Sequence, residues 1–237
     1  MVAKRDLLYE GKGKRVLLTD DPDTLILAFK DTATAGNGAK QEDLADKGRI
    51  NNLINDHVMR LLSREGIPVH HREQIGPAES TVRRLDMLPV EAVVRNVVAG
   101  SLARRLGMEE GTVLPRPIFE FFYKSDELGD PMINHFHILA FGWATEAEVE
   151  RMVELSFRAN QALYRLFEAG GMQLVDYKLE FGRYHGELYL GDEFTPDGCR
   201  LWDGETGEKL DKDRFRRDLG DVMAGYREIG RRIGVDL

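Results

Sequence analysis

The sequence predicts a mixed fold of strands and helices built around one charged hairpin. Three observations carry this: strand-type alternation bearing charges over residues 174–203, helical spacing of apolar residues in three other stretches, and strand-turn-strand texture near the N-terminus. Along LVDYKLEFG, Val175, Tyr177, Leu179 and Phe181 point one way, and Asp176, Lys178 and Glu180 the other. Residues 182–186 read as a turn and 187–193 as the return strand, so an even register would bring Asp192 to the face of Asp176 and Glu180. Three carboxylates around one lysine repel and call for a cation, and Mg2+ takes one or two carboxylates plus phosphate oxygens. The turn Thr195-Pro196-Asp197-Gly198 would hold Asp197 and Arg200 at the same mouth. A solvated face with surface ion pairs is the bland alternative. Apolar Leu174-Val175 and residues 188–190 favour a central hairpin instead.

The elements follow in order. Residues 7–9, 15–18 and 24–29 read as short strands, with Glu10-Gly11-Lys12-Gly13-Lys14 in the first turn. This is neither a P-loop nor a dinucleotide fingerprint, since both open a helix. A glycine hairpin with two lysines can lie over a triphosphate, or be a plain tight turn with solvated lysines. Residues 31–41, small and glycine-rich, read as a mobile loop or a floppy connection. Ile50, Leu53, Ile54, Val58, Leu61 and Leu62 fall at helical spacing, with His57 as a packed histidine on that face. Strands are expected at 69–72, 81–85 and 90–99, with Asp86-Met87-Leu88-Pro89 as a break. Arg95 and Asn96, in the middle of the third, need polar partners. Ser101 is expected to cap a short helix at 102–106 and, with Arg95, to seat a phosphate or serve structure alone. A strand at 118–124 follows, then a capped helix opened by Thr145-Glu146-Ala147-Glu148, and after the hairpin one closing helix from Phe215 to Ile233.

Composition excludes several classes. At 237 residues the chain is one large domain or two small ones. A formal charge of −8 argues against a general nucleic-acid binder, and the single Cys199 excludes an intramolecular disulfide. No apolar run reaches the length of a signal peptide core or a membrane span, so a soluble, cytoplasmic protein is expected, with neither nucleic acid nor membrane as a partner.

Five segments, YEGKGK at 9–14, FKD at 29–31, VVRNVVAGS at 93–101, LVDYKLEFG at 174–182 and LGDEFTPDGCRLWD at 190–203, closely resemble in order and spacing the phosphoribosylaminoimidazole-succinocarboxamide synthase (SAICAR synthetase) family. The resemblance covers essentially the whole chain. It implies an α+β fold with a nucleotide site like those of ATP-grasp ligases and, more distantly, kinases: a mostly antiparallel part at 1–88 covering the nucleotide, and a larger part at 89–237 binding metal and substrate. It further implies that ATP, carboxyaminoimidazole ribonucleotide and L-aspartate give the succinocarboxamide ribonucleotide, ADP and phosphate. Gly11, Lys12, Gly13 and Lys14 would cover the ATP phosphates, with Met87 at the adenine and Lys124 in the same pocket. Glu180 and Asp192 would carry Mg2+. Arg95, Ser101 and Arg200 would hold the ribonucleotide phosphate, while Lys178 and Asp197 meet its carboxylate and amino groups. Lys178, Asp176 and Asp197 would be catalytic, the loop from Gly36 to Lys40 would meet aspartate, and the protein would be a homodimer or larger. The chemistry suits these residues, because a carboxylate is a poor electrophile and its activation by phosphoryl transfer rests on positioning and charge compensation. A kinase-like phosphotransferase lacks its HRD and DFG motifs here, and a nucleotide-binding regulator without turnover is the third class.

Overall fold

The structure, a computed structural model, describes residues 2–36 and 38–237. Its elements are β1 (Lys4–Glu10), β2 (Lys14–Thr19), β3 (Thr24–Phe29), β4 (Thr32–Ala35), β5 (Lys40–Asp43), α1 (Lys47–Arg64), β6 (His71–Gly76), β7 (Glu79–Arg83), β8 (Asp86–Val97) and α2 (Gly100–Leu106). They continue with β9 (Val113–Tyr123), a 3-10 turn at Asp126–Leu128, β10 (Met132–Ile133), α3 (His135–Ala140), α4 (Glu146–Ala169), β11 (Met172–Tyr184), β12 (Glu187–Gly191), β13 (Cys199–Asp203), α5 (Asp213–Arg216) and α6 (Val222–Arg232). One antiparallel sheet runs β1-β2-β3-β7-β6; a second runs β10-β9-β8-β11-β12, with β13 also pairing β11. The mixture of helices and antiparallel sheets is α+β.

The strand β11 is central because it holds three neighbours: β8 along one edge, and on the other β13 against its first half and β12 against its second. Leu174, Tyr177, Leu179 and Phe181 join the main core with Ile50, Ile54 and Val58 of α1, Met152, Leu155 and Leu163 of α4, and Tyr226 and Ile229 of α6. Each such side chain contributes about 1.5–3 kcal/mol on burial. Val175 departs from the expected alternation. A bulge against β13 between Leu174 and Asp176 breaks the phase, and Val175 packs instead with Val97, Ala99 and Trp202.

Other differences have local causes. The hairpin turn is tighter than residues 182–186: Tyr184 pairs with Glu187, and His185 and Gly186, at φ 49° and 84°, form the two-residue turn that matches strand twist. No break separates Asp86 from Val90, because the ladder between β8 and β11 shifts between Glu180 and Gly182 and the bulge accommodates Pro89. The expected loop at 31–41 is largely the β4–β5 hairpin, tied down where Lys40 donates to the Phe215 carbonyl (2.6 Å) and pairs with Asp218 (2.5 Å); Asn37 lies outside the described residues. The single closing helix is two, α5 and α6, parted where Asp218 and Gly220 take positive φ and Asp221 accepts from the Ala224 N–H as a new N-cap. The cap of α2 is Ala99, not Ser101, which lies inside the first turn. Thr145 and Glu148 form the expected capping box of α4. Among the described residues, no helix is long and apolar enough to cross a membrane.

Leu163 is fully buried where α4 meets the sheet. Leu163→Ala is expected to cost about 2–5 kcal/mol, read as a lower urea midpoint with unchanged denaturant slope.

Candidate active site

Between the two sheets lies a slot of about 140 Å³. Its walls are Val16, Leu25 and Leu27 from β2 and β3, Val82 from β7, and Leu85 and Met87 at the entry to β8; its polar end carries Lys14, Lys124, Glu180 and Asp192. Gly191 is needed here, since a Cβ on it would lie 3.0 Å from the Met87 sulfur and the Leu85 side chain. The glycine hairpin closes one side: the Gly11 N–H donates to the Lys14 carbonyl (2.8 Å), and the Lys30 N–H to the Gly13 carbonyl (2.8 Å). Lys14 reaches down to Asp192 and Glu193, and Lys12 pairs with Asp126 (2.6 Å) on the 3-10 turn.

Lys178 and Glu180 share one face of β11, but the third member of the expected acidic set differs. Lys178 Nζ lies 2.9 Å from Glu91, 2.5 Å from Glu180 and 3.9 Å from Asp192, while Asp176 turns away to Arg95 and Arg200. Glu91 of β8 takes its place because Glu91 and Glu180 are paired across the ladder. The register of the hairpin is odd, with Glu180 opposite Gly191, so a regular strand would point Asp192 to the core side. Asp192 escapes by leaving the strand at φ 56°, which re-aims its carboxylate at Lys14. Burial pushes that carboxyl up, yet Lys14, Lys178 and Lys124 together hold it well below the usual range. Burial pulls Lys178 down, but Glu180, Asp192 and Glu91 keep it charged well above the ordinary lysine value. The Lys124 ammonium, raised despite burial, pairs with Glu180.

Beyond Lys178 the same face opens into a second cavity of about 270 Å³, lined by Glu91, Arg95, Ser101, Asp176, Lys178, Asp197 and Arg200 among others. One buried carboxylate organises it. Asp176 accepts from Arg95 (2.8 Å) and from Arg200 (2.9 Å); Arg95 also donates to Glu120 (2.6 Å) and to the Ser101 hydroxyl (3.0 Å), and Arg200 to Asp213 (2.9 Å). Gly100, at φ 53°, lets Arg200 approach, for a Cβ there would stand 2.6 Å from its guanidinium. Asp197, which also lines the cavity, accepts from the Tyr226 hydroxyl (2.7 Å) and the Asn51 amide (3.0 Å) and pairs with Lys47 (2.6 Å) and Lys212 (3.7 Å).

The expected site residues therefore fall into three sets: Lys14, Met87, Lys124, Glu180 and Asp192 in the slot, Gly11, Lys12 and Gly13 in the hairpin beside it, and Arg95, Ser101, Asp176, Lys178, Asp197 and Arg200 at the second cavity. Sequence reasoning missed Glu91, Lys47, Asn51, Lys212 and Tyr226. Only Lys47 carried a local signal, as a lysine opening a helix; across the β4–β5 hairpin, Asp31 of FKD accepts from the Gly48 N–H (2.8 Å), which fixes where that helix starts. Among the described residues no three His, Cys, Asp or Glu side chains gather as a metal cluster. Two carboxylates, Glu180 and Asp192, at the polar end of the slot are the hard oxygen donors that would suit Mg2+.

An apolar slot ended by two lysines and two carboxylates, beside a second cavity rich in paired charges, suits an enzyme that handles a nucleotide next to another anionic ligand. The chain belongs to the SAICAR synthetase family, whose model matches residues 7–233. A phosphoribosylaminoimidazole-succinocarboxamide synthase of Idiomarina loihiensis is 57% identical over 234 residues, covering 99% of each chain. The crystal structure of the Ehrlichia chaffeensis synthase superposes with a TM-score of 0.96 at 42% identity, over 98% of this chain and 100% of that one. A SAICAR synthetase in complex with ADP gives 0.93 at 45% identity, over 95% and 97%.

His70, buried behind the slot, donates through Nε2 to the Asp192 carbonyl (2.7 Å), and burial lowers its pKa to about 4. Its folded value lies below its unfolded one, so the unfolded chain binds the extra proton first. Stability is expected to fall as pH drops from about 6.5 toward 4, and His70→Gln should flatten that part of the profile in urea midpoints measured across this range.

Proposed function

We propose that the protein is an ATP-dependent ligase that joins L-aspartate to the carboxylate of carboxyaminoimidazole ribonucleotide, giving SAICAR, ADP and phosphate in purine biosynthesis. The observation that carries this reading is the division of one strand face between two pockets, with Glu180 in the slot and Lys178 in the adjoining cavity. Family membership names the substrates, and the ADP-bound relative supports ATP in the slot. In this reading, the strands of residues 1–88 cover the nucleotide and residues 89–237 bind metal and substrate. Gly11, Lys12, Gly13 and Lys14 cover the phosphates, with the adenine against Met87. Lys124 pairs with Glu180 beside them. Glu180 and Asp192 would hold Mg2+, which would offset phosphate charge during the transfer. Arg95, Ser101 and Arg200 take the ribonucleotide phosphate. Lys178 takes its carboxylate, and the hairpin from Gly36 to Lys40 lies near aspartate. The enzyme works in the cytoplasm as a homodimer or larger assembly.

Chemistry follows from this placement. An oxygen of the ribonucleotide carboxylate attacks the γ-phosphorus, ADP leaves, and an acyl phosphate forms between the two pockets. Lys178, its ammonium favoured by Glu180, Asp192 and Glu91, steadies the carboxylate by charge. The aspartate amine then attacks the acyl carbon, loses a proton, and expels phosphate. No acyl-enzyme is needed, and Cys199 is buried with its thiol pushed well up by burial.

Glu180→Gln or Asp192→Asn is expected to lower kcat by roughly a hundredfold or more in a variant that still unfolds cooperatively, with a lower urea midpoint because each substitution leaves a partly buried lysine short of its partner; near-normal turnover at ordinary Mg2+ would remove the metal assignment. Ribonucleotide labelled with heavy oxygen in its carboxyl group is expected to yield one labelled inorganic phosphate per amide formed. Unlabelled phosphate beside normal amide formation would rule out the acyl phosphate.

A further inference from the structure

Asp192 owes its place in the slot to its backbone, and one histidine holds that backbone. The strand β12 ends at Gly191, and the next residue takes φ 56°, a left-handed conformation that is costly for a residue with a Cβ. An extended backbone would send the Asp192 side chain to the core side, because Glu180 stands opposite Gly191. The left-handed turn instead brings the carboxylate to Lys14. It also takes the Asp192 carbonyl out of the β11–β12 ladder, and a buried carbonyl that leaves a ladder needs another donor.

His70 supplies that donor. Its Nε2–H donates to the Asp192 carbonyl (2.7 Å), which fixes the ring in the tautomer protonated at Nε2. The histidine is itself tied down: its backbone N–H donates to the Leu190 carbonyl (2.8 Å), and its carbonyl accepts from the Arg83 N–H (2.8 Å). The Leu190 N–H donates in turn to the Pro68 carbonyl (2.8 Å), and beyond Asp192 the Phe194 N–H donates to Asn55 Oδ1 (2.9 Å). Arg83 ends β7 of the first sheet and Leu190 lies in β12 of the second, so His70 stands where the two sheets that wall the slot are joined. At 4% exposed, it leaves little room for water to take its place.

We propose that His70 is a positioning residue for the divalent cation: its Nε2–H, by holding the Asp192 carbonyl, keeps Asp192 in the left-handed backbone that turns its carboxylate to the slot. In this role the imidazole does not touch the ion. It acts on the peptide group that follows the carboxylate-bearing Cα, and so decides which way the side chain points. The proposal rests on the reading of Glu180 and Asp192 as the ligands of the cation, and it adds what keeps one of them in place. A glutamine at this position would make the same bond, since its amide nitrogen reaches about as far as Nε2, whereas leucine fills the space and donates nothing.

The test is binding of Mn2+, a probe that takes the same oxygen donors as Mg2+, to the ADP-saturated enzyme, read from the electron paramagnetic resonance signal of the free ion. His70→Leu is expected to raise the Mn2+ dissociation constant by roughly tenfold to a hundredfold, the usual cost of losing a group that orients a ligand. ADP affinity in EDTA should stay within about twofold, a readout that general loosening of the slot would move, and His70→Gln should recover most of the Mn2+ affinity. Should His70→Leu not unfold cooperatively, His70→Asn, whose shorter amide stops short of the Nε2 position, reads the same constants; if neither folds, His70 is needed for the fold itself and the proposal falls. Wild-type Mn2+ affinity in a folded His70→Leu enzyme, an equal loss of ADP affinity in EDTA, or a His70→Gln enzyme no better than His70→Leu overturns it. Asp192→Asn is the control. If it too keeps wild-type Mn2+ affinity, the metal reading fails, whereas its loss beside an unchanged His70→Leu leaves that reading standing and removes His70 alone.

Discussion

A strand in the middle of a sheet must serve two environments at a period of two residues, and β11 does so under an unusual demand. Tyr177, Leu179 and Phe181 build the dry core against the helices, so Lys178 and Glu180 are left on the face that looks across to the first sheet. Their Cα atoms stand about 7 Å apart by strand geometry. That spacing places them in different pockets. The ladder with β8 fixes the register, because a slip of one residue would turn both charges into the core.

The charges on that face are compensated before any ligand arrives. Lys14, Lys124 and Lys178 pair with Glu91, Glu180, Asp192 and Glu193, and the guanidinium groups of Arg95 and Arg200 share Asp176. Burying any of these alone would cost several kcal/mol. A phosphate or carboxylate entering the pockets would therefore exchange one partner for another instead of meeting bare charge, and a divalent cation would compete with ammonium groups for the same oxygens. Such a site is positioned by its own ion pairs.

The legible and the illegible parts of the sequence divide by range of interaction. Capping of α4 at Thr145, the turn at Thr195 to Gly198 and the strand β3 are local, and residue type alone places them. The two carboxylates of the slot were readable from alternation plus motif, but Asp192 for a mistaken reason: the register is odd, and only its left-handed backbone restores the side chain to the site. Glu91 could not be read at all, since its role comes from pairing with Glu180 almost ninety positions away along the chain, and pairing partners leave no local mark. The split of the closing helix was visible in Asp218-Leu219-Gly220-Asp221, a stop followed by a new cap, but the apolar period running across it hides the break.

Lys47 and Tyr226 show a further reason why such residues escape notice. Each sits on a helix whose main business is the core: Ile50 and Ile54 follow Lys47 on α1, and Ile229 follows Tyr226 on α6. In sequence they are a helix-opening lysine and a core tyrosine, and both descriptions hold. Only where α1 and α6 pack together does the pair converge on one carboxylate. The packing that holds the domain together is thus also what aims its charges.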